Sequence, residues 1–188
     1  MRTNASRRTA LLDAAINVLA EQGARGLTFR AVDTAAAVPP GTASNYFTSR
    51  NELLGQAASR VYERFQPDAE ALAHSLSEPV DRETIATAMR EAVHRITGFR
   101  SEYLALLELR LEATRHPEMQ ATITRRARDD IAANVAAHEA AHRPGDATSV
   151  RLLHMALNWL IVERLTLPGV YTEQEADELV DHAVERLI

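Results

Sequence analysis

Apolar side chains recur three and four positions apart along almost the whole chain, and the period-two alternation of half-buried strands is missing. Leu11, Leu12, Ala15, Ile16, Leu19 and Ala20 form a first helical stripe that stops at Glu21-Gln22-Gly23. Thr28 opens a short helix through about Ala35, and Pro39-Pro40-Gly41 precedes a second short helix through about Phe47. Ser49-Arg50-Asn51-Glu52 has the capping-box pattern, in which Ser49 caps the next helix and Glu52 reaches back to the N–H of Ser49. That helix continues through Leu53, Leu54, Ala57, Ala58 and Val61 to about Phe65, with Pro67 bending or ending it. Ser77-Glu78-Pro79 reads as a linker. Helical patterns follow at about 82–98, 101–115, 118–141, 147–166 and 173–187, the last opened by a second capping box, Thr172-Glu173-Gln174-Glu175. Gly98, Pro117 and Pro144-Gly145 separate them. The pattern predicts an all-α fold of about nine helices with short connections.

A chain of 188 residues is long enough to bury its own core without disulfides or metal. Cysteine is absent, which excludes a disulfide scaffold, a thiol nucleophile and any thiolate-held metal. No apolar run approaches the ~18–20 residues of a membrane span, and no apolar signal core follows the basic start MRTNASRRTA. A cytoplasmic protein with no membrane partner and no cofactor is expected. The net charge of −5 speaks against a nucleic-acid partner until the chain is divided. Residues 1–50 carry six arginines against three acids, a net of +3, and residues 51–188 carry 15 against 23, a net of −8. A basic head on an acidic body fits a polyanion-binding module joined to something else.

Residues 28–47, TFRAVDTAAAVPPGTASNYF, have the form of a helix-turn-helix, whose first helix braces a second that enters the DNA major groove. Such a probe needs small and polar side chains on its outward face, and Thr42, Ala43, Ser44 and Asn45 supply them. Thr and Ala can meet a thymine methyl, and Asn can pair bidentately with adenine. The hydroxyl of Tyr46 can reach a phosphate, while Phe47 plugs the core. Thr28 and Arg50 stand at helix starts suited to phosphate anchoring, and Arg2, Arg7 and Arg8 form a basic arm for sequence-independent attraction. The expected DNA-binding set is Thr28, Arg30, Gly41, Thr42, Ala43, Ser44, Asn45, Tyr46 and Arg50. The bland alternative is two short helices in an ordinary bundle, with Arg50 a solvated first-turn residue.

On these residues the chain resembles the DNA-binding domain of the TetR (tetracycline repressor) family. The resemblance rests on Ala14-Ala15, Glu21, Gly23, Thr28, Gly41-Thr42, Tyr46-Phe47, Ser49-Arg50 and Leu53-Leu54. It implies a helix-turn-helix domain over residues 1–50 and a helical ligand-binding and dimerisation domain over 51–188. There are three departures. Ala37 stands where the family usually has a turn glycine, and φ > 0 there would cost an alanine roughly 1–2 kcal/mol. Val32-Asp33 replaces the usual Ile-Ala, and Arg50 the common lysine.

The last two helices support dimerisation independently. Val150, Leu153, Leu157, Leu160 and Ile161 fill one face of 147–166, and Leu152, Met155, Ala156, Trp159 and Val162 fill much of the rest. In 173–188, Ala176, Leu179, Val180, Ala183, Val184, Leu187 and Ile188 follow helical spacing. The expected interface is Val150, Leu153, Leu157, Leu160, Ile161, Leu179, Val180, Ala183, Val184 and Leu187, with completion of a monomeric core as the alternative. Two copies would present paired probes to a palindromic operator in duplex DNA, and a small-molecule effector favouring the non-binding arrangement would release it. Pocket candidates are Met89, Val93, Phe99, Tyr103, Leu107, Arg110, Leu111, Met119, His154 and Trp159, each of which could equally be core packing or part of a salt bridge. Arg110 could pair with an anionic ligand, Glu108 or Glu112.

One motif points elsewhere. His138-Glu139-Ala140-Ala141-His142 matches the HExxH zinc-peptidase pattern, with Glu163 at an acceptable distance for a third ligand. Alanine-rich charged segments generate this pattern easily, and Pro144-Gly145 ends the helix at once, so a regulator rather than an enzyme is expected. A helical dimeric interaction protein that reads no DNA sequence is the remaining alternative.

Overall fold

A computed structural model describes residues 2–66 and 81–188; Pro67 and the Ser77-Glu78-Pro79 linker lie outside the described residues, as does the side chain of Arg2. Among the described residues there are eight α-helices, one 3-10 turn and no strand. The elements are α1 (Arg2–Gly26), α2 (Phe29–Ala35), the 3-10 turn (Ala43–Asn45), α3 (Arg50–Phe65), α4 (Arg82–Gly98), α5 (Arg100–Ala113), α6 (Pro117–Ala140), α7 (Ala147–Thr166) and α8 (Glu173–Leu187). Packing divides the chain into two compact units, residues 1–66 with 100–126, and residues 67–99 with 127–188.

The first unit is built on α1. Leu11, Ala15, Ile16 and Leu19 are fully buried, with Leu53, Leu54, Ala57 and Val61 of α3 and Ala105 and Leu109 of α5 in the same core. Helical geometry in α1 breaks at Gly23, whose φ of 70° suits a residue without a Cβ. A Cβ there would also meet the Glu108 carboxylate at 3.1 Å. Thr28 accepts a hydrogen bond from the Ala31 N–H (3.1 Å) and so starts α2, and Ser49 starts α3 by accepting from the Glu52 N–H (3.1 Å). The Glu52 carboxylate reaches the backbone and hydroxyl of Thr48 (2.7 and 2.6 Å), one residue before the expected partner. Those bonds, with Arg8 adding to them, hold its carboxyl below the ordinary range.

The second unit gathers Ile85, Ala86, Val135, Val150, Leu153, Val184 and Ile188 into its core. Asp81 caps α4 and Asp146 caps α7 through backbone N–H groups. Thr172 and Glu175 form the reciprocal capping box at the start of α8. A polar seam runs beside the apolar one: Arg90 pairs with Asp181, His94 with Asp177 (3.3 Å), and Arg164 with Glu173.

The faces of α7 and α8 that the sequence assigns to a subunit interface close this core instead. Val150, Leu153, Leu160, Ile161, Val180 and Val184 are buried within the protomer, and Leu157, Ala183 and Leu187 are partly buried against the same core. The opposite side of α7 is open. Leu152, Met155 and Trp159, spaced three and four apart, are 46%, 67% and 64% exposed, and Leu179 of α8 is 44% exposed. A helix apolar on every side has two stripes, and periodicity alone does not say which one its own chain covers.

Candidate nucleic-acid interface

The helix-turn-helix is assembled around a buried carboxylate. Val32 and Asp33 are the buried residues of α2, and Asp33 is only 2% exposed. Its two oxygens accept the N–H groups of Gly41 (2.7 Å) and Ala43 (2.6 Å), which open the second element of the motif. A carboxylate placed on free N–H groups at the start of a helical turn makes strong, charge-assisted bonds. Gly41, at φ 89°, lets the chain turn there. Ala37 adopts φ 52°, the left-handed conformation a glycine would take without strain. The turn is therefore built in the family's geometry by a residue that bears the steric cost.

The presented segment is short. Backbone bonds from Thr42 N–H to Pro39 O (3.1 Å), Asn45 N–H to Thr42 O (3.0 Å) and Tyr46 N–H to Ala43 O (3.0 Å) wind it as a single 3-10 turn rather than a longer helix. Ser44 and Asn45 are exposed, and Thr42 and Tyr46 are half-buried. The Thr42 hydroxyl donates to Pro39 O (2.6 Å) and that of Ser44 to Gly41 O (2.9 Å), which fixes both rotamers. Ala43, expected on the outward face, is fully buried, because the N–H it gives to Asp33 turns that position inward. Phe47 is the expected core plug.

The arginines divide in a way the sequence does not reveal. The expected basic arm is the first turns of α1. Arg7 and Arg30 are exposed. Arg8 instead folds back: it donates to Tyr46 O (2.9 Å) and Gln56 Oε1 (3.0 Å), pairs with Glu52 (3.2 Å) and lies 4.8 Å above the Phe47 ring. Arg50, expected at a phosphate, donates from Nε to Leu27 O (3.1 Å), from Nη2 to Ala24 O, and from Nη1 to Glu112 (3.1 Å). Burial opposes ionisation of Glu112, but the Arg50 guanidinium bonded to it and the nearby His116 hold its carboxyl below the ordinary range.

The pocket candidates do not share one core. Tyr103 and Met119 are buried in the first unit, where Leu107 is half-buried and Arg110 and Leu111 lie on the surface. In the second unit Val93 is buried, Met89, Phe99 and His154 are half-buried, and Trp159 is exposed rather than lining a cavity. Glu108 and Glu112 engage Ala24 and Arg50 rather than Arg110. A pocket of about 90 Å³ beside Arg164, Leu167 and Tyr171 contains none of the candidates. Burial pushes the Tyr103 hydroxyl up to about 12, against an opposing effect of Arg110. The HExxH segment lacks the one-face geometry its spacing implies: α6 stops at Ala140, and His142 stands beyond it at φ 51°. His138 is buried, with Nε2 on Pro144 O (2.7 Å).

Residues 11–57 match the description "Bacterial regulatory proteins, tetR family", and residues 80–188 match "Tetracyclin repressor-like, C-terminal domain". The protein therefore belongs to the TetR family of bacterial regulators. It is 30% identical over 115 residues to the HTH-type transcriptional regulator BetI of Rhizobium meliloti, a match that spans 61% of this chain and 55% of that relative. A TetR-family protein of Mesorhizobium loti shares the fold at a TM-score of 0.79 and 15% identity, covering 98% of this chain and 96% of its own. The multidrug binding protein EbrR, solved with ethidium, superposes at a TM-score of 0.63 with 27% identity, over 94% of this chain and 98% of its own.

Proposed function

We propose that the protein is a DNA-binding transcriptional regulator that acts as a homodimer on a palindromic operator and represses until a small-molecule effector releases it. The observation that carries this reading is the capped turn: Asp33 anchors the N–H groups of Gly41 and Ala43, and Thr42, Ser44 and Asn45 are left at the rim. Thr28, Arg30, Gly41 and Tyr46 complete the contact set. Tyr46 and Thr28 serve phosphates, and Asn45 reads a base edge. Residues 1–50 provide recognition and 51–188 provide sensing and assembly. The open stripe of Leu152, Met155, Ala156 and Trp159, with Leu179, supports dimerisation. Apolar side chains in such a row gain about 25 cal/mol per Å² when a second copy covers them. That EbrR holds ethidium supports a small-molecule effector, and the absence of a membrane-length apolar helix among the described residues is consistent with action in the cytoplasm.

The test is selection of bound sequences from random duplex DNA. A two-fold symmetric site is expected, with half-sites about one helical turn (~34–36 Å) apart. Asn45→Ala should bind with relaxed preference at one position of each half-site. Failure of the wild-type protein to enrich any sequence would refute the assignment.

A further inference from the structure

The short connection between α1 and α2 is held by side chains that come from other helices. Glu108 of α5 accepts the Ala24 N–H (2.9 Å), directly against Gly23. One turn later on the same helix face, Glu112 holds Nη1 of Arg50 (3.1 Å), while Nη2 and Nε of Arg50 bond Ala24 O and Leu27 O. Three acceptors in three directions fix the plane of the guanidinium. Turning it toward a phosphate would break bonds to two backbone carbonyls and a largely buried carboxylate. The connection fixed in this way leads directly into Thr28, the residue that starts the bracing helix.

Building on the DNA-binding reading above, we infer that Arg50, with Glu108 and Glu112, is a positioning clamp for the helix-turn-helix and not a phosphate ligand. Operator affinity then depends on two carboxylates of α5 that touch no DNA. α5 lies by sequence in the match to the family's C-terminal domain and by packing in the first unit, so any displacement of α5 acts directly on the segment that aims the probe.

The experiment measures affinity for the selected operator as a function of salt, with helicity and melting temperature recorded for each variant. The clamp predicts that Glu112→Ala and Arg50→Gln each weaken binding about tenfold or more, with the salt slope of the wild type. It also predicts that the double variant is little weaker than the worse single one. Arg50→Lys separates the two roles: a lysine can serve a phosphate as a point charge but cannot make the three-way fork. The clamp requires Arg50→Lys to bind as poorly as Arg50→Gln. A near wild-type Arg50→Lys, a salt slope shallower by about 0.9 in Arg50→Gln, or an unaffected Glu112→Ala would each overturn the inference. A wild-type protein that selects no DNA would overturn the function itself, and the clamp with it.

Discussion

The first unit and α7–α8 use the same kind of residue to opposite ends. Around α1, large aliphatic side chains end fully buried, and the polar groups beside them are engaged by Asp33, Arg50, Glu108 and Glu112. On α7, one apolar stripe closes a core while the other, with Trp159 at 64% exposure, meets no residue of its own chain closely enough to be covered. The contrast separates a surface finished by folding from one left for association. A DNA-reading turn must be rigid before its target arrives, whereas an interface between copies acquires its packing only when the second copy docks.

Four measurements would break or sharpen that contrast. Trp159→Glu should have the largest effect. A charge at the centre of the open stripe should cost the dimer about 2 kcal/mol or more, roughly 30-fold in its dissociation constant, as sedimentation equilibrium would register. A monomer at all concentrations in the wild type would end the comparison. Asp33→Ala comes next. It leaves the buried Ala43 N–H without its acceptor, and an unfolding free energy lower by about 2–4 kcal/mol is expected in urea titration. Third, Tyr103 is harder to ionise folded than unfolded, so its contribution is complete below about pH 10 and is lost as pH rises toward about 12. A two-unit shift corresponds to at most about 3 kcal/mol. Tyr103→Phe should lose less stability than the wild type between pH 9 and 11.5, and parallel curves would contradict the assigned burial effect. The smallest effect is a gain. Ala37→Gly relieves a positive φ but adds freedom to the unfolded chain, for a net stabilisation of about 0.5–1 kcal/mol in the same titration.

The elements themselves were legible in the sequence because helices are written in local signals. Thr28, Ser49 and Thr172 cap where their spacing predicts, and Gly98, Pro117 and Pro144-Gly145 divide the later helices as expected. Ala37 was recognisable as a strained turn residue because the conformation demanded there is itself local. What could not be read locally were partnerships across the chain. Asp33 stands out as an acid inside a bracing helix, but its role depends on two N–H groups eight and ten residues away. Ala43 looks suited to an outward face until that bond turns it in. Arg8 and Arg50 carry the charge expected of phosphate anchors, yet their acceptors lie 38 to 62 residues away along the chain. For α7, the choice between two equally apolar stripes is made by what α4 and α8 cover.

The single tryptophan of the chain is Trp159. Its indole sits in water in the lone protomer, so its emission should shift to the blue as protein concentration rises and a mate arrives. The molecule thus carries an intrinsic optical reporter of its own assembly, readable by dilution in a fluorimeter without any label.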